Sequence, residues 1–173
     1  MNNDYTVNSG APDLAGEADQ LDVRFMKQAI ELSKSAVENG NEPFGAVLVR
    51  DGRVVYTNEN QIYTKNDPTF HAEFGLIRRF CAETGITDLS DYTLYSSCEP
   101  CFMCSGAMVW VNLGRLVYGA GNTDLEAILG NEGCVCSQMV FDNSFRRPEV
   151  TAGILREEAL EVLADYFSEH HKG

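Results

Sequence analysis

Apolar residues change their spacing several times along this chain, and each change predicts an element. Val23, Met26, Ile30 and Val37, with Ser33 among them, recur at three- and four-residue intervals, which predicts an amphipathic helix. Asp22 is the expected N-cap and Gly40 the expected stop. Phe44 to Val49 is a short apolar run, followed by Asp51-Gly52 and then Val54 to Tyr56, a hairpin turned on Asp-Gly. Asn60 to Pro68 is polar and reads as a loop. His71 to Glu83 has Phe74, Ile77, Arg78 and Cys81 at helical spacing, Tyr92 to Ser96 reads as a strand, and Cys101 to Val111 reads as a short helix opened by Pro100. Arg115 to Ala120 is a further strand, Thr123 to Leu129 a helix, and Gly130 to Phe145 irregular. Leu155, Ala159, Leu160, Leu163 and Phe167 share one face of a final helix over Leu155–Phe167. Strands alternating with helices, without an internal repeat, predict an α/β domain layered on a central sheet.

Composition narrows the class. The 173 residues suit one domain with one core. Residues 1–20 are polar, contain no Lys or Arg and lack apolar periodicity, so a flexible leader is expected there and a single domain over 21–173. No apolar run is long enough to span a bilayer, and no basic stretch precedes a hydrophobic one at the N-terminus. Six cysteines without such a signal point to a reducing compartment, and the protein is read as cytoplasmic. The net charge of −13 disfavours a polyanionic partner; Arg78-Arg79 and Arg146-Arg147 are the densest basic spots, and each is only a pair. Acidity also has a plain reading as solubility.

The chemistry lies in His71-Ala72-Glu73 and in Ser97-Cys98-Glu99-Pro100-Cys101-Phe102-Met103-Cys104. His71, Cys101 and Cys104 can hold Zn²⁺ and leave the fourth tetrahedral position open, the feature that separates a catalytic zinc from a structural one. Positions i and i+2 lie on opposite sides of a regular helix, so His71 and Glu73 share a site only if both sit at the helix end. Other readings exist. Cys-x-x-Cys occurs in redox pairs and in structural zinc knots, to which Cys98, Cys134 or Cys136 could be recruited. Cys98, Cys101 and Cys104 also begin an iron–sulfur run, but Met108-Val109 stands where its fourth Cys is needed. The catalytic zinc is preferred because it alone accounts for Glu73. Cys134 and Cys136 are too close for an ordinary disulfide in regular structure and are expected as exposed thiols.

H-x-E followed by P-C-x-x-C is a signature of zinc-dependent base deaminases. The segment from about Arg24 to Ala120 resembles the cytidine deaminase superfamily, in the purine branch that holds guanine, guanosine and tRNA adenosine deaminases. The matching stretches are Pro43-Phe44-Gly45-Ala46-Val47, Asn66-Asp67-Pro68-Thr69, His71-Ala72-Glu73, Ser97-Cys98-Glu99-Pro100-Cys101, Met103-Cys104 and Val117-Tyr118-Gly119-Ala120. The resemblance implies a three-layer α-β-α cytidine-deaminase-like fold with a central five-stranded mixed sheet, one Zn²⁺ per subunit and a homodimer or larger assembly. It implies that His71, Cys101 and Cys104 bind zinc and that Glu73 moves protons while an amine on a ring is replaced by oxygen and leaves as ammonia. Asn60 would hydrogen-bond the substrate or cap a turn, and Phe44 would stack on the ring or fill the core. The backbone N–H of Ala72 would help hold the base.

The substrate is less determined. Asn66-Asp67-Pro68-Thr69 and Ser97-Cys98-Glu99-Pro100-Cys101 look more like guanine deaminases than like the tRNA enzyme, and the negative charge agrees. Trp110 would close the pocket or fill the core. Beyond Gly121 the chain departs from the resemblance. Glu132 falls near a family acid that meets the guanine edge, as an acceptor-only carboxylate should, or is an exposed loop residue. Phe70 is bulkier than the small residue usual beside His71 in the family and would narrow the pocket or change the substrate. The expected function is therefore hydrolytic deamination of guanine or a related purine base or nucleoside, a small-molecule step of purine metabolism with no membrane or nucleic-acid partner. Alternatives are tRNA adenosine deamination, a cytosine- or triazine-type deaminase, and, outside enzymes, a zinc-stabilised binding module.

Overall fold

The computed structural model describes residues 14–130 and 136–170. Helix α1 (Leu14–Glu38) buries Phe25, Met26, Ala29, Ile30 and Ala36 at helical spacing. Its start corrects the sequence reading. Asp22 is not an N-cap but lies inside the helix, buried, where tertiary partners hold its carboxylate. The stop at Gly40 stands: its φ is 81°, its N–H reaches the carbonyl of Val37 (2.9 Å), and the Asn41 N–H reaches that of Ala36 (2.8 Å).

Strands β1 (Gly45–Arg50) and β2 (Arg53–Glu59) form the expected hairpin, with Asp51 (φ 50°) and Gly52 (φ 68°) both left-handed, as a two-residue turn of this twist requires. There follow α2 (Ala72–Thr84), β3 (Thr93–Cys98), α3 (Phe102–Trp110), β4 (Arg115–Ala120) and α4 (Asn122–Leu129). Gly130–Phe145 is not wholly irregular, because it contains α5 (Ser137–Asp142). Strand β5 (Glu149–Ala152) and helix α6 (Arg156–His170) close the described chain.

The sheet runs β2-β1-β3-β4-β5. β1 is antiparallel to β2 and β3, and β3, β4 and β5 are parallel, so this is the mixed five-stranded sheet. One face carries Ala46, Leu48, Leu94 and Leu116 against α2 and α3; the other carries Val47, Val49, Tyr95 and Val117 against α1 and α6. Alternate strand residues thus feed two cores, and the architecture is three-layered α-β-α. No helix among the described residues is long and apolar enough to cross a membrane.

Asp22 ties these layers together at one end of the sheet. Arg115 donates from both terminal nitrogens to its two oxygens (2.8 and 2.6 Å), Tyr95 donates from its hydroxyl (2.7 Å), and Arg115 also reaches Thr151 on β5 (2.8 Å). Burial pushes the Asp22 carboxyl up, but the bonds from Arg115 and Tyr95 outweigh it and hold the group below the ordinary carboxylate value.

Candidate active site and metal centre

The parallel strands β3 and β4 end together, with the Glu99 N–H donating to the Ala120 carbonyl (2.7 Å), and the metal-ligand turn follows at once. His71 (φ −66°, ψ 157°) and Cys101 (φ −66°, ψ 171°) are the N-caps of α2 and α3, and neither side chain caps its own helix. Both are left to point elsewhere. They point at each other: His71 Nδ1 lies 3.6 Å from Cys101 Sγ and 3.8 Å from Cys104 Sγ. One donor atom from each of the three residues fits within 4.8 Å of the others.

These donors fit zinc. Bonds of about 2.3 Å to sulfur and 2.0–2.1 Å to nitrogen in a tetrahedron put N···S edges at roughly 3.5–3.6 Å. Cys98 is buried and is not in the cluster, so among the described residues the set has three ligands and a fourth position for water. The thiols are poised for metal. The hydrogen bond from Cys104, with His71 alongside, pulls the Cys101 thiol down to about 4. Cys104, which gives that bond and is buried, is pushed up, and the bond to Cys101 raises His71. Both cysteines lie in the first turn of α3, where the positive dipole end favours thiolate.

Glu73 shares the site because the helix begins between it and His71. His71 has extended backbone while Glu73 is in the first turn of α2, so the opposite-sides problem of a regular helix does not arise. Its carboxylate is buried. Oε1 accepts from the Ser96 hydroxyl (2.8 Å), and Oε2 lies 3.5 Å from Cys104 Sγ. Burial, reinforced by the charge of Cys101, raises Glu73 above the ordinary carboxylate value.

Around this centre, Asn60 is fully buried beside the start of α2. Its N–H donates to Phe44 O (2.9 Å), and the next residue, Gln61, donates to Phe70 O (3.0 Å), the neighbour of His71. Asn60 Oδ1 accepts from Ile62 N (3.1 Å), which leaves Nδ2 as a buried donor with no partner among the described residues. Phe44 is partly buried and packs against both cores. The Ala72 N–H is the first of α2 and has no acceptor within the helix. Phe70 packs on the first turn of α2: a Cβ at Gly75 would come within 2.9 Å of its ring.

One candidate falls elsewhere. Trp110 fills no core: it is 78% exposed at the far end of α3, against Phe145. Nine residues of helix separate it from Cys101, about 13 Å along the axis. Glu132 and Cys134 lie outside the described residues, and Cys136 is exposed as expected.

Sequence reasoning missed three polar residues. Ser96 binds Glu73. Asn58 donates to the Ala72 carbonyl (2.9 Å). Glu99 accepts from the N–H (2.8 Å) and hydroxyl (2.7 Å) of Ser137 and from Asn122 N (2.9 Å), joining the metal-ligand turn to α4 and α5. The only available signal was a polar residue inside an apolar or motif-bearing run.

Comparison with known proteins agrees with this geometry. Residues 19–120 match the family described as the cytidine and deoxycytidylate deaminase zinc-binding region. The chain is 39% identical over 127 residues to a guanine deaminase of Bacillus subtilis, covering 73% of this chain and 74% of that protein. It is 36% identical over 148 residues to a tRNA-specific adenosine deaminase of Agrobacterium fabrum, covering 84% and 93%. The solved guanine deaminase from Nitrosomonas europaea superposes with a TM-score of 0.74 at 25% identity, covering 97% of this chain and 98% of that one.

Proposed function

We propose that this chain, which belongs to the cytidine and deoxycytidylate deaminase zinc-binding family and is a hydrolytic deaminase, acts on guanine or a closely related purine. The observation that carries the reading is the unpaired Asn60 amide. A buried donor without a partner costs about 1–3 kcal/mol, and a ring nitrogen or carbonyl of a small heterocycle would relieve that cost.

His71, Cys101 and Cys104 would hold zinc, which when bound would supply a Lewis acid that brings the pKa of water close to neutral. Glu73 does the proton work. Its carboxylate is buried and has one oxygen turned to the metal ligands, as suits a group that takes and returns a proton there. It accepts a proton from the attacking water through Oε2, the oxygen turned to the ligands, and delivers it to the ring nitrogen; it then takes the hydroxyl proton of the adduct and delivers that to the departing amine as the carbonyl forms. Asn60 and the Ala72 N–H orient the ring, Phe44 walls it, and Glu132 is the candidate partner for the guanine edge.

Charge favours a free base or nucleoside over tRNA. The chain carries −13, which disfavours a phosphate backbone. Exposed Phe102 and Trp110 on α3, with exposed Phe145 beside Trp110, support a homodimer with one zinc per subunit. A single domain that takes in the whole of α1, and a cytoplasmic location, complete the reading.

The test is ammonia release from guanine, guanosine, aminopterins and triazines by zinc-loaded protein, beside inosine formation in tRNA. Glu73→Gln should lower ammonia release at least 1,000-fold, on the order of the larger general-acid/base effects, with zinc retained at one per chain. Turnover of tRNA alone would replace the purine reading, and a Glu73→Gln protein as active as wild type would remove Glu73 from the mechanism.

A further inference from the structure

We propose that Ser96 is the positioning residue for Glu73: its hydroxyl holds Oε1, so that Oε2 alone is presented to the metal ligands. This rests on the reading of Glu73 as the proton carrier.

Ser96 lies in the middle of β3, 1% exposed, opposite Ala46 on β1 and Tyr118 on β4. Its strand neighbour on the same face is Leu94, which belongs to the apolar core against α2 and α3. A hydroxyl in such a place must find a partner, and the partner is Glu73 Oε1 at 2.8 Å. The other oxygen, Oε2, is 3.5 Å from Cys104 Sγ. The two ends of one carboxylate thus have different duties. The terminal torsion of a glutamate is broad and two-fold, so without a fixed donor the oxygens exchange freely and the group can turn either toward the metal ligands or away.

The adjacent residue provides a matched control. Ser97 is 3% exposed, faces the other way, and accepts one hydrogen bond, from Gly45 N (3.1 Å). Ser97→Ala therefore loses one buried hydrogen bond from the same strand without touching Glu73.

Ser96→Ala, Ser96→Thr and Ser97→Ala would be compared in two forms of the full chain. With zinc and guanine, Ser96→Ala should lower kcat roughly 10- to 100-fold with little change in KM, the usual scale for a lost partner of a group at a metal site. Ser96→Thr, which keeps the hydroxyl, should recover most of it, and Ser97→Ala should keep the wild-type kcat while losing a similar amount of thermal stability. With Co²⁺ in place of zinc, no substrate is needed. Ser96→Ala should change the visible absorption bands, because the Glu73 carboxylate is no longer held in one orientation beside the metal ligands. Adding Glu73→Gln should remove that change, and Ser97→Ala should match wild type. Altered cobalt bands in a protein that does not act on guanine would leave the role of Ser96 standing and overturn the substrate. Guanine turnover with Ser96→Ala matching Ser97→Ala in kcat and in cobalt spectrum would overturn the role of Ser96 and leave the substrate standing.

Discussion

Replacing Asp22 with asparagine removes one negative charge from the place where four secondary-structure elements meet. In the wild type both carboxylate oxygens accept from Arg115 (2.8 and 2.6 Å), and Tyr95 adds a third bond (2.7 Å). The substituted side chain would keep one acceptor, while its amide would face an Arg115 nitrogen, donor against donor. Breaking a buried pair costs about 3–5 kcal/mol, because the remaining charge is left without compensation. Here Arg115 is 27% exposed and keeps Thr151, so water and that hydroxyl recover part of the loss and the lower end, about 3 kcal/mol, is expected. For a chain of this length each kcal/mol moves the midpoint by about 2–4 °C, which gives a drop of roughly 6–12 °C. The effect should also depend on pH with a definite sign. The folded Asp22 value lies below the unfolded one, so its stabilisation is complete above the unfolded value of about 3.9 and fades as pH falls through the folded value. Wild type and Asp22→Asn should therefore converge in acid. Zinc content should be unchanged, because Arg115 begins β4 while the ligand turn follows the opposite end of the paired strands. Urea titration at pH 7 and at pH 3 would measure this, and a difference under about 1 kcal/mol at pH 7 would refute the reasoning.

Asn60→Ala removes the unpaired amide, so kcat/KM for guanine should fall roughly 10- to 100-fold, equivalent to about 1–3 kcal/mol, with zinc content unchanged; steady-state kinetics with an unaltered kcat/KM would dissociate Asn60 from the substrate. Glu99→Gln leaves one acceptor oxygen for three donors and turns an amide toward a backbone N–H. It should cost about 2–3 kcal/mol in urea unfolding, and a loss within experimental error would mean that the tie to α4 and α5 carries little.

The sequence was legible wherever the physics is local. The helical period of α1, its Gly40 stop, the Asp-Gly hairpin and the apolar face of α6 depend on contacts a few residues apart, and they are found where expected. β5 was missed because Glu149-Val150-Thr151-Ala152 is four residues long, partly exposed and lacks a repeated apolar face; it is a strand because β4 offers it a parallel edge. Asp22 was misread for a related reason. An Asp ahead of a periodic apolar run looks like a cap, and only the approach of Arg115, 93 residues away, makes it a buried acid. Trp110 looked like core because indole usually is, yet the helix turns it outward beside Phe145.

The chain by itself determined the ligand types and the chemistry they permit. One imidazole, two thiols and a carboxylate at those spacings restrict the metal and the reaction class, because coordination depends on donor identity. Tertiary structure decided what spacing cannot express: that α2 and α3 begin at the same point in space, and that Cys98 stays outside the cluster while Cys101 and Cys104 enter it. It also decided that a serine in mid-strand meets one oxygen of Glu73. Those facts depend on strand order and on the parallel register of β3 with β4, which arise only when distant segments bury their apolar faces together.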